Sequence, residues 1–112
     1  MTEIKLFEEY NTYYTQLSYD EWSELKIQRD HFTESELSIL KSLPKSVFLS
    51  KVSIGSITLK FEVGCRLFIY KGVDEWFFVA NETNYSIKNT YYKCDQFEGL
   101  IKLIKDLDYK IN

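Results

Sequence analysis

The second half of the chain changes its hydrophobic period once, and that change constrains the fold more than anything else in it. Residues 57–61 (ITLKF), 66–71 (RLFIYK), 75–80 (EWFFVA) and 90–94 (TYYKC) are short runs rich in aromatic and β-branched residues, the composition of strands. From residue 95 onward the apolar positions recur at three- and four-residue steps. Phe97, Leu100, Ile101, Ile104 and Leu107 make one stripe with Lys102 and Lys105 off it, so 95–107 reads as an amphipathic helix. Asp95 is placed to cap its start, and Asp95 and Glu98 complement the positive helix end. Gly99 costs about 1 kcal/mol relative to Ala in a helix, a loss that close packing against a strand would explain.

The strands differ among themselves. Ile57, Leu59 and Phe61 alternate with Thr58 and Lys60, the pattern of a sheet with one wet face. Leu67–Tyr70 and Trp76–Val79 are apolar on both faces, as in central strands covered on both sides, or covered on one and used on the other. Gly64 and Lys71-Gly72-Val73-Asp74 are turn material, Asn81–Asn89 reads as a longer polar loop, and Val47–Lys51 adds a strand before the turn at Gly55-Ser56.

The first third reads as helical. Leu6, Phe7, Tyr10, Tyr13, Tyr14 and Leu17 fall on one stripe, which predicts a helix over 3–16, although Asn11-Thr12-Tyr13-Tyr14-Thr15 has strong strand propensity. Two start signals follow. Ser18-Tyr19-Asp20-Glu21 and Thr33-Glu34-Ser35-Glu36 both fit a capping box, with Leu17/Trp22 and Phe32/Leu37 as the staple pairs. The second helix is expected over 34–43, stopping before Pro44. The first is expected to be short, because Leu25-Lys26-Ile27-Gln28 alternates as extended chain does. The expected architecture is α+β: N-terminal helices, a small antiparallel four- to five-stranded meander, and a C-terminal amphipathic helix packed on one sheet face, all in one domain spanning 1–112.

Composition narrows the function classes. Net charge is −3 with only two Arg, and the Lys are scattered, so nucleic acid is disfavoured as the main partner. No stretch approaches the roughly 20 apolar residues of a membrane span. The start of the chain has no secretory pattern, and Cys65 and Cys94 suit a reduced interior better than a disulfide framework. The expectation is a soluble intracellular protein. Asn81-Glu82-Thr83 and Asn84-Tyr85-Ser86 match the glycosylation acceptor pattern but read as loop chemistry in that setting.

Reactive groups have little company. His31 is the sole histidine and sits beside a capping box. Cys94, between Lys93 and a helix start, is the better placed of the two thiols for a thiolate, yet a small buried residue is the commoner role. Two Cys and one His do not make a zinc signature. Acidic pairs at Glu8-Glu9, Asp20-Glu21, Asp74-Glu75 and Glu34 with Glu36 would serve a weak cation site only by converging, and helix dipoles and caps explain most of them. Asp-Glu-Trp occurs twice, at 20–22 and 74–76, in contexts that disagree. Phe68, Tyr70, Trp76, Phe78 and Tyr92 could stack single-stranded RNA bases, but neither a basic sheet rim nor a Gly-aromatic strand motif is expected with them.

Asp74-Glu75-Trp76-Phe77-Phe78-Val79, with Tyr91-Tyr92-Lys93-Cys94-Asp95-Gln96 and Gly99-Leu100, resembles a pattern in small uncharacterised proteins of giant DNA viruses and some organellar genomes; the resemblance implies a place in the cytoplasm or within a viral or organellar assembly, and no function. The order helix, antiparallel sheet, final helix is similar to frataxin by fold analogy alone, and the acidic first helix of that family is poorly matched. Nine Tyr, eight Phe and two Trp exceed what one small core obviously needs. The leading expectation is therefore a non-catalytic interaction or structural subunit, without a cofactor, that meets another protein or a second copy of itself. Its contact candidates are Tyr10, Tyr13, Tyr14, Phe68, Tyr70, Trp76 and Phe78. A small metal- or ligand-binding domain using the acidic pairs comes second, and a thiol enzyme using Cys94 third.

Overall fold

The computed structural model describes residues 13–44, 46–62, 64–82 and 89–111. Its elements run β1 (Tyr14–Leu17), α1 (Tyr19–Ser23), α2 (Glu34–Lys41), β2 (Val47–Ser53), β3 (Ser56–Phe61), β4 (Arg66–Lys71), β5 (Trp76–Glu82), β6 (Thr90–Asp95) and α3 (Gln96–Ile111). The class is α+β, with six antiparallel strands in the order β1-β6-β5-β4-β3-β2. The five strands β2 to β6 form the expected meander, and β1 adds a sixth by returning to pair with β6, Tyr14 opposite Cys94 and Leu17 opposite Tyr91.

That sixth strand corrects the reading of a helix over 3–16. Residues 14–16 are extended, and the rest of that segment, Tyr10 included, lies outside the described residues except for Tyr13. The free edge of β6 offers a ladder of backbone partners to a Tyr-Thr stretch that already favours the extended form, and pairing overrides helical spacing. Asn81 corrects a second expectation, since it lies within β5 and is buried rather than on a loop.

Alternation sorts the strands into two faces. The inner face carries Leu59, Leu67, Ile69, Phe77, Val79 and Cys94, all essentially inaccessible, beneath Leu100, Leu103 and Ile104 of α3 and beside Leu40 of α2. Each of these large apolar side chains contributes about 1.5–3 kcal/mol by leaving water. Both longer helices therefore seal the same side of the sheet. α3 follows β6 without a loop, as Gln96 takes a φ of 60° and its N–H donates to the Glu75 carbonyl at 3.0 Å.

Gly99 is what brings β1 and α3 together. A Cβ on it would stand 2.1 Å from the Tyr13 carbonyl oxygen, which accepts from the Asp95 N–H at 2.9 Å. One residue on, the Tyr14 hydroxyl donates to Asp106 Oδ2 at 2.5 Å, and Lys102 Nζ stands 3.3 Å from Oδ1 of the same carboxylate. Burial and that carboxylate push the Tyr14 phenol well above its ordinary range.

Both capping boxes form. Ser18 Oγ accepts from Glu21 N–H and Thr33 Oγ1 from Glu36 N–H, each at 3.1 Å, with the glutamates accepting in return. α1 is one turn long and gives way to extended chain; α2 ends at Lys41, two residues short of the expected boundary.

Candidate functional site

The outer face of the sheet holds the rings. From α1 the chain crosses it toward the β4–β5 turn, where Arg29 bridges to Gly72. On the way Trp22 stacks on Tyr91, with ring centres 4.9 Å apart, and tilts against Tyr70 at 6.2 Å. The Arg29 guanidinium lies 4.8 Å above the Tyr70 ring, and Lys93 Nζ lies 4.2 Å above Trp76. These contacts are aromatic pairs and cation–π pairs, worth about 0.5–1.5 kcal/mol each. They consume much of the apparent surplus of rings inside the molecule.

Beyond this clamp, over β2, β3 and β4, the outer face is open among the described residues. A groove of about 440 Å³ runs between Lys51, Lys60, Arg66 and Phe68, with Ser53, Ser56 and Thr58 along it. Strand register explains the grouping, since Thr58 stands opposite both Lys51 and Phe68, and Lys60 opposite both Phe48 and Arg66. Phe48 is 48% exposed at the groove's edge, and Ile54 is 75% exposed at the tip of the β2–β3 hairpin. That hairpin closes on Gly55, at φ 71° and packed against the Arg29 side chain.

The contact candidates separate on this frame. Phe68, Tyr70 and Trp76 are half-buried on the outer face, while Phe78, 8% exposed, lies beneath its neighbours there. Tyr14 points inward to Asp106, and Tyr13 is exposed where β1 begins. Tyr10 lies outside the described residues. Tyr91, Trp22, Arg29 and Phe48 join the outer face without having been singled out. Phe48 was legible as the strand neighbour of Val47, but the crossing of Trp22 depends on a turn that no local spacing reports.

At the strand end that carries the β4–β5 turn, the chemistry is reversed. A cleft of about 530 Å³ is lined by Asp30, Glu36, Asp74, Glu75 and Glu98 around Lys71, with Phe77 and Phe97 as apolar walls. Lys71, which the sequence offered both as the end of the 66–71 strand and as the start of a turn, is the last residue of β4, 7% exposed. Its ammonium donates to Glu36 Oε1 at 2.8 Å and to the His31 carbonyl at 2.9 Å. The same Glu36 oxygen closes the α2 capping box, so one carboxylate ties helix start to strand end.

Cys94 is fully buried, and burial pushes its thiol up to about 12; Cys65 is raised for the same reason. Neither environment favours a thiolate. His31 is exposed, and it is its backbone N–H, not the imidazole, that donates to Asp30 Oδ1 at 2.8 Å. Among the described residues no three His, Cys, Asp or Glu side chains gather closely enough to hold a metal ion. Nor is any helix among them long and apolar enough to cross a membrane. Compared with family models, curated proteins and solved structures, the chain matches none of them.

Proposed function

We propose that this protein is a non-catalytic interaction subunit that docks a partner protein on the open half of its outer sheet face, around Phe48 and Phe68 and extending toward Trp76. The observation that carries this reading is the one-sidedness of the sheet: α2 and α3 both cover the inner face, while β2–β4 present half-exposed rings among cations on the other. Rings with a polar surround are the usual anchors of protein interfaces. The test is alanine substitution at Phe48, Phe68 and Trp76, with folding checked by circular dichroism and partner recovery measured by cross-linking in the native host. Loss of a discrete cross-linked species supports the reading, and unchanged recovery from all three variants overturns it.

A second reading, a small domain taking an organic cation, is favoured by the volume and five carboxylates of the cleft around Lys71, which are too dispersed to hold a metal ion. Calorimetry with spermidine, and with Mg²⁺ for comparison, tests it, and flat titrations remove it.

A further inference from the structure

We infer that the occupant of the open outer face is an acidic, extended segment of another protein; this rests on the docking reading above and adds the chemistry of the partner. The argument is charge complementarity. The chain is acidic overall, yet two hollows of its surface are lined by opposite charges. Five carboxylates and one lysine line the cleft at the β4–β5 turn, whereas Lys51, Lys60 and Arg66 line the outer groove. A carboxylate within reach of that groove is Glu82, 3.5 Å from Arg66, and both side chains are more than 40% exposed. An exposed pair of that kind contributes little and is readily exchanged for an incoming carboxylate. Such separation of charge steers an acidic partner to one face and repels it from the other end.

The neighbouring groups fit the same occupant. Ser53, Ser56 and Thr58 supply hydroxyl donors along the groove, and Phe48 and Phe68 supply apolar surface for residues between the acids. Single-stranded nucleic acid fits less well. Base stacking needs a run of free ring faces, and Tyr70, Trp76 and Tyr91 each already have a partner on the ring, Arg29, Lys93 and Trp22, which leaves Phe48 and Phe68 as the rings at the groove. Addition of a strand to the edge of β2 also fits less well, since the register shifts between Leu49 and Lys51 and an irregular, lysine-bearing edge resists pairing. The segment therefore lies on the face rather than extending the sheet.

Fluorescence anisotropy with three labelled probes tests this: a short unstructured peptide rich in Asp and Glu with interspersed Leu and Phe, the same peptide with every acid replaced by its amide, and a uridine-rich single-stranded RNA of similar length. The acidic peptide is expected to bind with an affinity that falls as salt rises, and the amide peptide at least about tenfold more weakly. K60E combined with R66E should lower the acidic peptide's affinity by about tenfold or more, and Phe68→Ala by a smaller factor. The neutralising pair K60Q and R66Q, matched to wild type by thermal melting, guards against a folding defect. Equal binding of the amide peptide, abolished by Phe68→Ala, would overturn the acidic partner while leaving the docking face standing. Binding of none of the probes would overturn the inference outright. Tighter binding of RNA would replace the partner class. Self-association in sedimentation, lost in K60E/R66E, would make a second copy the occupant and equally overturn it.

Discussion

The two faces of one sheet are built from the same strands and are held by different physics. On the inner face, residues at every second position of β3, β4 and β5 are buried, all of them apolar except Lys71 and Asn81 at the strand ends, and α3 lies across them. On the outer face the intervening positions carry rings, cations and hydroxyls, and every ring there except the buried Phe78 is only partly removed from water. Inner-face side chains gain their full transfer free energy. Outer-face rings gain part of it, plus modest cation–π and stacking contributions. Stability should thus be concentrated on one side of the sheet and recognition on the other.

The sharpest way to break that comparison is a matched pair of truncations. Phe77→Ala, at 1% exposure, should cost about 3–5 kcal/mol in urea unfolding. Phe68→Ala, half-buried on the neighbouring strand, should cost less than about half of that, since much of its ring is already hydrated. Equal costs would mean that the outer face is as sealed as the inner one, and the docking reading would lose its basis.

Lys71 tests whether the inner face tolerates charge only when it is paired. Lys71→Met leaves the Glu36 carboxylate facing an apolar stem in a largely enclosed position, and a loss of about 3 kcal/mol is expected. Adding Glu36→Gln to the same chain should recover most of the loss, because the unpaired charge disappears while the amide still caps α2. Failure of the second substitution to rescue would assign the cost to lost packing of the lysine stem instead.

Gly99→Ala should cost about 1–3 kcal/mol by forcing α3 away from the Tyr13 carbonyl. The loss should be local. Amide exchange at Thr15–Leu17 should accelerate, while the β3–β4–β5 centre keeps its protection. Uniform acceleration through the sheet would show that β1 is integral to the core and not an addition to its edge.

Sequence periodicity was legible where one period ran undisturbed. The alternation of Ile57, Leu59 and Phe61 and the stripe from Phe97 to Leu107 placed β3 and α3 on the correct faces. The same alternation, continued through Leu67 and Ile69, points Lys71 inward, but its neighbour Gly72 pulled the reading toward a turn. β1 was hidden for a different reason. Four residues carry too little pattern to outweigh a helical stripe, and their strand character is completed only by the edge of β6, nearly eighty positions away. The candidate site shows the same division. Phe68, Tyr70 and Trp76 were legible as rings on strands, whereas the clamp of Trp22 and Arg29, and the gathering of Lys51, Lys60 and Arg66, exist only through register and chain crossing.

The smallest effect concerns pH and belongs to the inner face alone. Cys94 is held as a neutral thiol, its pKa raised by burial from an ordinary 9.0 to about 12. Below 9.0 the folded and unfolded chains both keep the proton, so the stabilisation is fully present. As pH rises from there toward about 12 the unfolded chain ionises first, and stability falls continuously. The loss should reach about 1 kcal/mol near pH 10. Tyr14 and Cys65 are shifted in the same direction and add to the slope. Cys94→Ala should flatten part of that alkaline decline in urea midpoints measured between pH 8 and pH 10, at a pH-independent cost from the missing sulfur. A thiol-specific disulfide reagent should leave Cys94 untouched until the protein unfolds. Rapid labelling of the native protein would place Cys94 in contact with solvent, and would mean that α3 does not seal the inner face where it meets β6.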